Sequence, residues 1–445
     1  MLNQEPIIRI GIFEHEPYVT GRFDGRYTLP NSVTLQGSFR AIVEQGNLIL
    51  LDDEEVEVMR GQSILCIAAR GSKFLLQSVT IGVHFHWERK EDQIFEGDLE
   101  LLLRDDDLLT AINTVRLEQY LKSVISSEMS AEAPLELLKA HAITSRSWLV
   151  AMLEKERLAK HGGALPQRSF QTDSELVRWY DREDHSLFDV CADDHCQRYQ
   201  GVTKIISSAA ENAVEATRGL FLVHEGKVCD ARFYKACGGM TEQFEHVWED
   251  TPVSYLHSIS DSVNPHKPIA SEEEADRWIR TSPEAFCNTT DGEILRQVLP
   301  SFDQETSDFF RWRVEYSQEE LREMLRKKSG IDFGTILNLV PVRRGPSGRI
   351  YALRIEGTNR TLVVGKELEI RRWLSQSHLY SSAFVVTMEK NSTGTPLKFI
   401  LHGAGWGHGV GLCQIGAAVM AARGYEAEKI VKHYFHNAEL MKLYD

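Results

Sequence analysis

HGAGWGHGVGLCQIGA, residues 402–417, is the stretch around which the rest of the chain is predicted to fold. Five of ten consecutive residues in it are glycine, a density that lets the backbone take positive φ and approach another surface closely. Trp406, His408 and Gln414 stand where a flexible linker would carry Ser, Thr or Lys. This favours a rigid loop that holds these side chains beside a ligand. The alternative is a glycine-rich turn between a strand and the small-residue helix predicted from residue 415.

Composition excludes some classes of partner. The chain has 445 residues and a formal net charge of -15, which argues against nucleic acid and anionic membrane surfaces because both are bound through basic patches. No stretch reaches the roughly 18 apolar residues that a membrane span requires. Residues 1–6, MLNQEP, have neither a basic segment nor an apolar core, so no signal peptide is predicted.

The pattern along the chain predicts an α+β fold. Residues 7–110 contain β-branched or alternating runs broken by Gly, Asp and Asn, which are typical of strands. Two amphipathic helices follow, the first through residues 117–125 and the second from Pro134 to about residue 156. We expect a mostly β region at 1–105 and a second domain at 106–445. This second domain should contain an irregular insertion around 159–190 and a strand-rich part around 310–395. Within it, a charged helix is predicted at 318–328 and a hairpin turn at 345–348.

The two helices carry the strongest candidate for acid–base chemistry. Glu128 ends the first helix, and Lys139 and Arg146 lie seven residues apart on one face of the second. A carboxylate at a helix corner with two cations beneath it is a defined electrostatic arrangement. The alternative is a solvated Glu128 with two cations that extend along the surface. Glu118 is predicted to be exposed.

Cysteine and histidine form the metal candidate. The seven cysteines are an odd number and are scattered, which disfavours a disulfide framework. The spacing His185-x5-Cys191-x4-Cys196 allows an imidazole and two thiolates to converge on Zn²⁺, with His195 adjacent. A reduced cysteine pair without metal is the alternative. Cys237 could join this site or stand alone. The other cysteines are predicted to be core or incidental, and they are Cys66, Cys229, Cys287 and Cys413.

Sequence motifs narrow the chemistry further. The chain contains no G-x-S-x-G nucleophile elbow, no H-E-x-x-H zinc motif and no phosphate-binding P-loop. One strong carboxylate candidate together with a glycine-rich aromatic loop indicates chemistry on a sugar bond, with Glu as both acid and base.

Four blocks of the chain resemble the SpoIID/LytB family. The first block contains YLKSVISSEM at 120–129, with LKAHA at 138–142 and SRS at 145–147. The middle blocks are HCQRYQG at 195–201 and ACGGMT at 236–241. The closing block contains GWGHGVG at 405–411, then Gln414 and the His433-Tyr434 pair. They stand in the family's order within residues 110–445, and residues 1 to about 95 lie largely outside the resemblance.

The resemblance implies a lytic transglycosylase that acts on peptidoglycan glycan strands, especially strands without stem peptides, in a SpoIID-like catalytic domain with a substrate cleft. Glu128 would protonate the glycosidic oxygen and then, as a carboxylate, accept the proton of the muramic acid 6-hydroxyl, which closes a 1,6-anhydro ring. The implied substrate-binding residues are Lys139, Arg146, His195, Tyr199, Trp406, His408, Gln414 and Tyr434. A structural zinc ion is implied at His185, Cys191 and Cys196.

The chain departs from the family's pattern at three positions: His141 stands where Gln is usual, Cys413 where Ser is common and Ile415 where Trp is common. The family's substrate implies the cell envelope or periplasm, although no signal peptide is predicted. Two other functions stay open. One is a non-catalytic glycan-binding protein that enhances a cell-wall amidase, as the LytB branch was named for. The other is a zinc-stabilised structural protein.

Overall fold

The computed structural model describes residues 4–82, 88–130, 133–160, 169–178, 185–193, 195–205, 208–298 and 308–445. Both helices and strands occur in them, and ten strands precede the first helix, so the predicted α+β class with a mostly β N-terminal region is confirmed. No helix among these residues is long and apolar enough to cross a bilayer.

The N-terminal strands form one large sheet. They are β1 (Ile7–Glu16), β2 (Tyr18–Thr28), β3 (Thr34–Glu44), β4 (Asn47–Leu51), β5 (Glu57–Gly61), β6 (Ser63–Ala68), β7 (Lys73–Ile81), β8 (Arg89–Glu96), β9 (Asp98–Leu103) and β10 (Leu109–Arg116). A short later strand, β13 (Val190–Cys191), joins its edge, and the order is β13-β1-β10-β9-β6-β2-β3-β4-β5, with β7 on β2 and β8 on β7. Phe23, Tyr27, Phe74 and Phe95 pack against one another in its core.

Helices α1 (Leu117–Glu128), α2 (Leu135–Lys160) and α3 (Ser208–Ala216) follow this region. The predicted apolar face of α1 is confirmed, because Leu117, Tyr120, Leu121, Val124 and Ile125 are all fully buried. Strands β11 (Ser169–Gln171) and β12 (Glu175–Arg178) lie in the predicted insertion, of which residues 161–168 and 179–184 are outside the described residues.

The remaining elements are mixed. The strands are β14 (Leu220–His224), β15 (Lys227–Val228), β16 (Phe233–Tyr234), β17 (Arg311–Ser317), β18 (Ile336–Arg344), β19 (Ile350–Gly357), β20 (Thr361–Gly365), β21 (Phe384–Lys390), β22 (Pro396–Ala404), β23 (Leu412–Cys413) and β24 (Glu439–Lys442). The helices are a 3₁₀ turn (Phe244–His246), α4 (Glu272–Arg280), α5 (Gly292–Val298), α6 (Gln318–Ser329), α7 (Glu367–Trp373), α8 (Gln414–Ala422) and α9 (Ala427–Tyr434).

Two sheets dominate this second set of elements. One has the order β11-β12-β20-β19-β18 and the other the order β17-β22-β21. The hairpin predicted at residues 345–348 is confirmed, since β18 and β19 pair antiparallel on either side of it. Helix α6, also predicted, begins at a capping box between Ser317 and Glu320 and buries Leu321 and Leu325. These elements share one apolar core.

Contacts divide the chain into two units. Unit 1 contains Met1–Arg146, Arg182–Leu220 and Lys442–Asp445, and unit 2 contains Ser147–Asp181 and Phe221–Met441. The division falls inside α2. The domain boundary predicted after residue 105 stays a prediction.

Candidate active site

Glu128 is the last residue of α1 and is only 8% exposed. The backbone N–H of Arg198 donates to Glu128 Oε1 at 3.1 Å, and the Arg198 guanidinium reaches the carbonyl oxygen of Ser127 at 3.5 Å. Within the described part of the chain, no Lys, Arg or His nitrogen lies at ion-pair distance from this carboxylate. The structure therefore holds one carboxyl group in a fixed orientation, which is what proton transfer to or from a ligand requires.

Residues 197–200 run along α1 and position Glu128. The N–H of Gln200 donates to Ser123 Oγ at 3.0 Å, and Tyr120 donates its hydroxyl hydrogen to Gln197 Oε1 at 3.3 Å. Tyr199 stacks on Tyr120 with ring centroids 5.3 Å apart. The HCQRYQG motif thus packs against the helix that carries the candidate acid, and the two motifs of the sequence become one site in unit 1.

Tyr199 lies in the core of this arrangement. It is 2% exposed, and its hydroxyl donates to Asn113 Oδ1 at 2.6 Å. Burial, together with the negative charge of Glu96, raises the pKa of this phenol. In this conformation Tyr199 supports the backbone beside Glu128, and its substrate contact stays a prediction.

Arg146 binds a different carboxylate from the one expected. Its guanidinium is fully buried and donates to both oxygens of Glu118, at 3.0 and 2.7 Å. The expectation that Glu118 is exposed is wrong, because Glu118 is 2% exposed and also accepts hydrogen bonds from the Tyr444 hydroxyl and the Gly219 N–H. Burial opposes ionisation of Glu118, but the Arg146 charge and these hydrogen bonds outweigh it and lower the pKa. Arg146 therefore holds α2 to α1.

Lys139 also has a nearer partner than Glu128. Its Nζ lies 2.7 Å from Glu136 Oε1, one turn earlier on α2, and its side chain keeps about a quarter of its surface exposed. Each of the two cations predicted beneath Glu128 is thus engaged by another carboxylate. Of the two, Lys139 has surface that a ligand can contact.

The predicted metal candidate converges in unit 1. His185, Cys191, His195 and Cys196 each place a ligand atom so that all four atoms lie within 4.8 Å of one another. Cys196 Sγ is 3.4 Å from His185 Nε2 and 3.7 Å from His195 Nδ1. His195, which the family resemblance implies as a substrate-binding residue, joins the metal candidate instead of standing beside it. Two imidazoles and two thiolates form a donor set that fits tetrahedral zinc.

Strand β13 explains why this cluster forms. It pairs in parallel with β1, with Gly11 opposite Cys191, and the Asp189 carboxylate accepts the N–H of Arg9 at 2.9 Å. The sheet edge therefore fixes the backbone of Cys191, and the following turn returns Cys196 to it, where the Cys191 N–H donates to Cys196 Sγ at 3.4 Å.

The glycine-rich stretch is a loop between β22 and α8 in unit 2, interrupted by the two residues of β23. Gly405, Gly407, Gly409 and Gly411 all have positive φ, between 73° and 103°. The backbones of Trp406 and Ala236 exchange two hydrogen bonds, at 2.7 and 3.0 Å, which joins this loop to the ACGGMT motif. A side chain at Gly405 would lie 2.7 Å from the Ala236 carbonyl oxygen, so glycine is required for that approach.

His408 and Trp406 are held by the loop's own surroundings. The Val410 N–H donates to His408 Nδ1 at 3.1 Å, so Nε2 carries the hydrogen and donates to the Phe233 carbonyl at 3.0 Å. Burial, with the charges of Arg232 and neighbouring arginines, lowers the pKa of His408 and keeps the ring neutral. Trp406 stacks on Phe309 at 4.8 Å between centroids. Both residues are partly exposed, and their contact with a glycan stays a prediction.

Gln414 and Tyr434 are buried in unit 2. Gln414, the first residue of α8, is 3% exposed, and Tyr434 is 1% exposed. The Tyr434 hydroxyl donates to Asp261 Oδ1 at 2.7 Å, and burial together with the Asp261 charge raises its pKa. In this conformation the Tyr434 hydroxyl binds the carboxylate of Asp261. The buried side chain of Tyr434 gives no support to the predicted contact with substrate.

Comparison with known families is consistent with this geometry. The family model described as stage II sporulation protein, SpoIID, matches residues 105–224. Residues 105–224 are thus similar to the SpoIID family. This confirms the resemblance seen in the sequence, and the matched region contains Glu128, Lys139, Arg146, Tyr199 and the whole His/Cys cluster. A domain of unknown function, DUF8618, matches residues 242–411.

Individual proteins similar to this chain agree with the SpoIID match. Stage II sporulation protein D of Bacillus amyloliquefaciens is 24% identical over 331 residues, which are 74% of this chain and 75% of that protein. An uncharacterized protein of Brachyspira hyodysenteriae is 26% identical over 337 residues, 76% of this chain and 69% of its own length. The amidase enhancer of Bacillus subtilis is 22% identical over 336 residues, 72% of this chain and 40% of the longer relative.

Sequence reasoning missed two groups of buried polar residues. Glu118 is the second residue of α1, and an acidic residue in the first turn of a helix is ordinarily explained by the helix dipole. The second group consists of Asp261 with three cysteines that were predicted to be incidental or isolated, Cys237, Cys287 and Cys413. No spacing in the sequence could have revealed this group, because its members are up to 176 positions apart.

Proposed function

We propose that this protein is a lytic transglycosylase that cleaves peptidoglycan glycan strands, with Glu128 as the single acid and base. The observation that carries the proposal is the environment of Glu128: a buried carboxyl group, oriented by the Arg198 N–H, without an ion-pair partner among the described residues. The SpoIID match and the amidase-enhancer relative support a function related to the cell wall.

In this mechanism the protonated Glu128 donates its hydrogen to the glycosidic oxygen as the bond to the anomeric carbon breaks. The resulting carboxylate then accepts the proton of the muramic acid 6-hydroxyl, whose oxygen bonds to the anomeric carbon. The products are a 1,6-anhydro-muramic end and a new hydroxyl end. Because no water enters, the second carboxylate of an ordinary glycosidase is not required.

The surrounding residues take supporting roles in this proposal. Arg198 orients the Glu128 carboxyl group, and Lys139 offers a cation that a glycan can contact. His185, Cys191, His195 and Cys196 would hold a zinc ion. Zinc would supply structure there, since four protein donors fill its coordination and leave no open position.

The experiment compares the full chain with Glu128→Gln on amidase-treated peptidoglycan, with anhydro-muropeptides measured by liquid chromatography and mass spectrometry. Loss of the acid–base group should lower their rate of release by about 10²–10⁴-fold. Glu211→Gln is the matched control, because it makes the same change at an exposed position of α3 and should keep full activity. Equal release by Glu128→Gln and the parent chain would refute the catalytic role.

A second candidate is a non-catalytic enhancer of a cell-wall amidase, which the name of the Bacillus subtilis relative favours. It predicts that the chain accelerates stem-peptide release by an added amidase and that Glu128→Gln does so equally well. It also predicts that no anhydro product forms. The same digestion, run with and without amidase, therefore separates the two functions.

A further inference from the structure

A second cluster of metal-ligating groups lies inside unit 2. The sulfur atoms of Cys237, Cys287 and Cys413 and a carboxylate oxygen of Asp261 all lie within 4.8 Å of one another. Each of the four residues is at most 1% exposed. This cluster shares no residue with the His/Cys cluster of unit 1, and neither the family resemblance nor the proposed catalysis gives it a role.

The sulfur atoms are placed by the backbone. Strand β16 pairs in parallel with β23, with Tyr234 opposite Cys413, and the Cys237 N–H donates to Cys413 Sγ at 3.2 Å. The Gly416 N–H donates to the same sulfur at 3.4 Å, so Cys413 accepts two N–H groups at the start of α8. Cys237 Sγ in turn accepts the Gly239 N–H at 3.3 Å. Backbone N–H donors of this kind fix the positions of the sulfur atoms and are typical of the outer shell around metal ligands.

Asp261 is oriented toward the sulfur atoms by donors on its other sides. Its Oδ1 accepts the Tyr434 hydroxyl at 2.7 Å, and its Oδ2 accepts the Cys287 N–H at 3.0 Å. Oδ2 is also 3.2 Å from Cys237 Sγ. A carboxylate whose remaining lone pairs are taken by hydrogen bonds is typical of the outer shell around a metal ligand. This arrangement also explains why Tyr434 is buried.

The spacing of the sulfur atoms points to a cation. Buried thiols are neutral without a metal, and they lose their protons when a metal cation binds to the sulfur atoms. His433 Nε2 lies 3.6 Å from Asp261 Oδ1. Sulfur ligands on tetrahedral zinc at a Zn–S distance of about 2.3 Å lie about 3.8 Å apart. Cys237 Sγ and Cys287 Sγ are 3.2 Å apart, so they need to separate only slightly.

We propose that Cys237, Asp261, Cys287 and Cys413 form a structural zinc site. Three thiolates and a carboxylate complete a closed, four-ligand tetrahedron, which suits a structural and not a catalytic ion. The ion would connect four segments that lie far apart in the sequence, and it would anchor the start of α8 and the glycine-rich loop to the ACGGMT motif. This proposal is independent of transglycosylase activity.

The test is the zinc content of the full chain, purified under reducing conditions without chelators and measured by mass spectrometry of the metal. A Cys191→Ser/Cys196→Ser variant should retain about one equivalent of zinc, held in unit 2. Adding Cys287→Ser should remove it, whereas adding Cys229→Ser, at a buried cysteine outside both clusters, should not. Equal zinc content in the Cys287→Ser and Cys229→Ser backgrounds, or no zinc in the starting variant, would overturn the proposal.

A second measurement covers the possibility that Cys287→Ser fails to fold. In Cys413→Ser the new hydroxyl can still accept the Gly416 N–H at the start of α8, as Ser does at many helix starts. The Co²⁺-loaded Cys191→Ser/Cys196→Ser protein should show a thiolate-to-cobalt charge-transfer band that weakens when Cys413→Ser is added. An unchanged band contradicts the assignment, as does a Cys237–Cys287 disulfide in the chain purified under reducing conditions.

Discussion

Two glutamates at opposite ends of α1 are both buried and differ in their partners. Glu118, in the first turn, is bound by both Nε and Nη2 of Arg146 and by Tyr444. Glu128, the last residue, accepts one backbone N–H and has no ion pair among the described residues. Burial alone therefore does not identify a functional acid. The absence of a compensating cation is what separates a group available for chemistry from one that stabilises the fold.

The largest effect that tests this comparison is the loss of the Glu118 charge. Glu118→Gln leaves the fully buried Arg146 guanidinium without its counter-ion, which should lower the free energy of unfolding by about 3–5 kcal/mol. Urea-induced unfolding followed by circular dichroism measures this change. Glu136→Gln removes the partly exposed partner of Lys139 and should cost at most about 1 kcal/mol. Similar costs for both variants would contradict the structural role of the buried pair.

The same pair should make stability depend on pH in a defined direction. The folded-state pKa of Glu118 is lowered from its ordinary value of 4.5, so the unfolded chain binds this proton more readily than the folded chain does. Its contribution is therefore fully present above about pH 4.5 and is lost as pH falls through the folded pKa. The stability difference between the parent chain and Glu118→Gln should be constant near neutral pH and narrow below about pH 4.5. A difference that widens in acid would show that the pair has been misassigned.

The smallest change in stability is expected for Glu128→Gln. The amide can still accept the Arg198 N–H, and no described cation relies on Glu128 as its counter-ion, so the free energy of unfolding should change by less than about 1 kcal/mol. The same urea experiment tests it, beside the loss of activity proposed above. A cost as large as that of Glu118→Gln would make Glu128 a structural residue and remove the contrast between the two ends of α1.

Much of the fold could be predicted because it follows from local patterns. The apolar face of α1, the hairpin at residues 345–348 and helix α6 follow from side-chain periodicity and turn chemistry, and the structure confirms all three. The predicted metal candidate also converges, because its cysteines and histidines lie within twelve residues of one another on a single turn beside β13. His195 is predicted to contact substrate, because sequence spacing does not show whether its imidazole faces the cysteines or a ligand.

The ion-pair partners of Arg146 and Lys139 could not be predicted from local sequence patterns. Helical spacing predicts Arg146 and Lys139 beneath Glu128, but it does not reveal which carboxylate each cation meets. Glu118 and Tyr444 are 326 positions apart and still form a hydrogen bond. Such contacts depend on the docking of segments, and no local pattern encodes them.

The sequence by itself determined the SpoIID resemblance, the α+β class and Glu128 as the candidate acid, because motifs and periodicities are properties of neighbouring residues. Only the tertiary structure decided that Arg146 neutralises Glu118, that Tyr434 binds Asp261, and that three scattered cysteines meet that carboxylate. It also decided which contacts hold the glycine-rich loop at residues 402–417. His408 binds the backbone of its own unit, and Gly405 permits the approach to Ala236. The physical reason is burial: the energy of a charged or polar group depends on which groups surround it after folding.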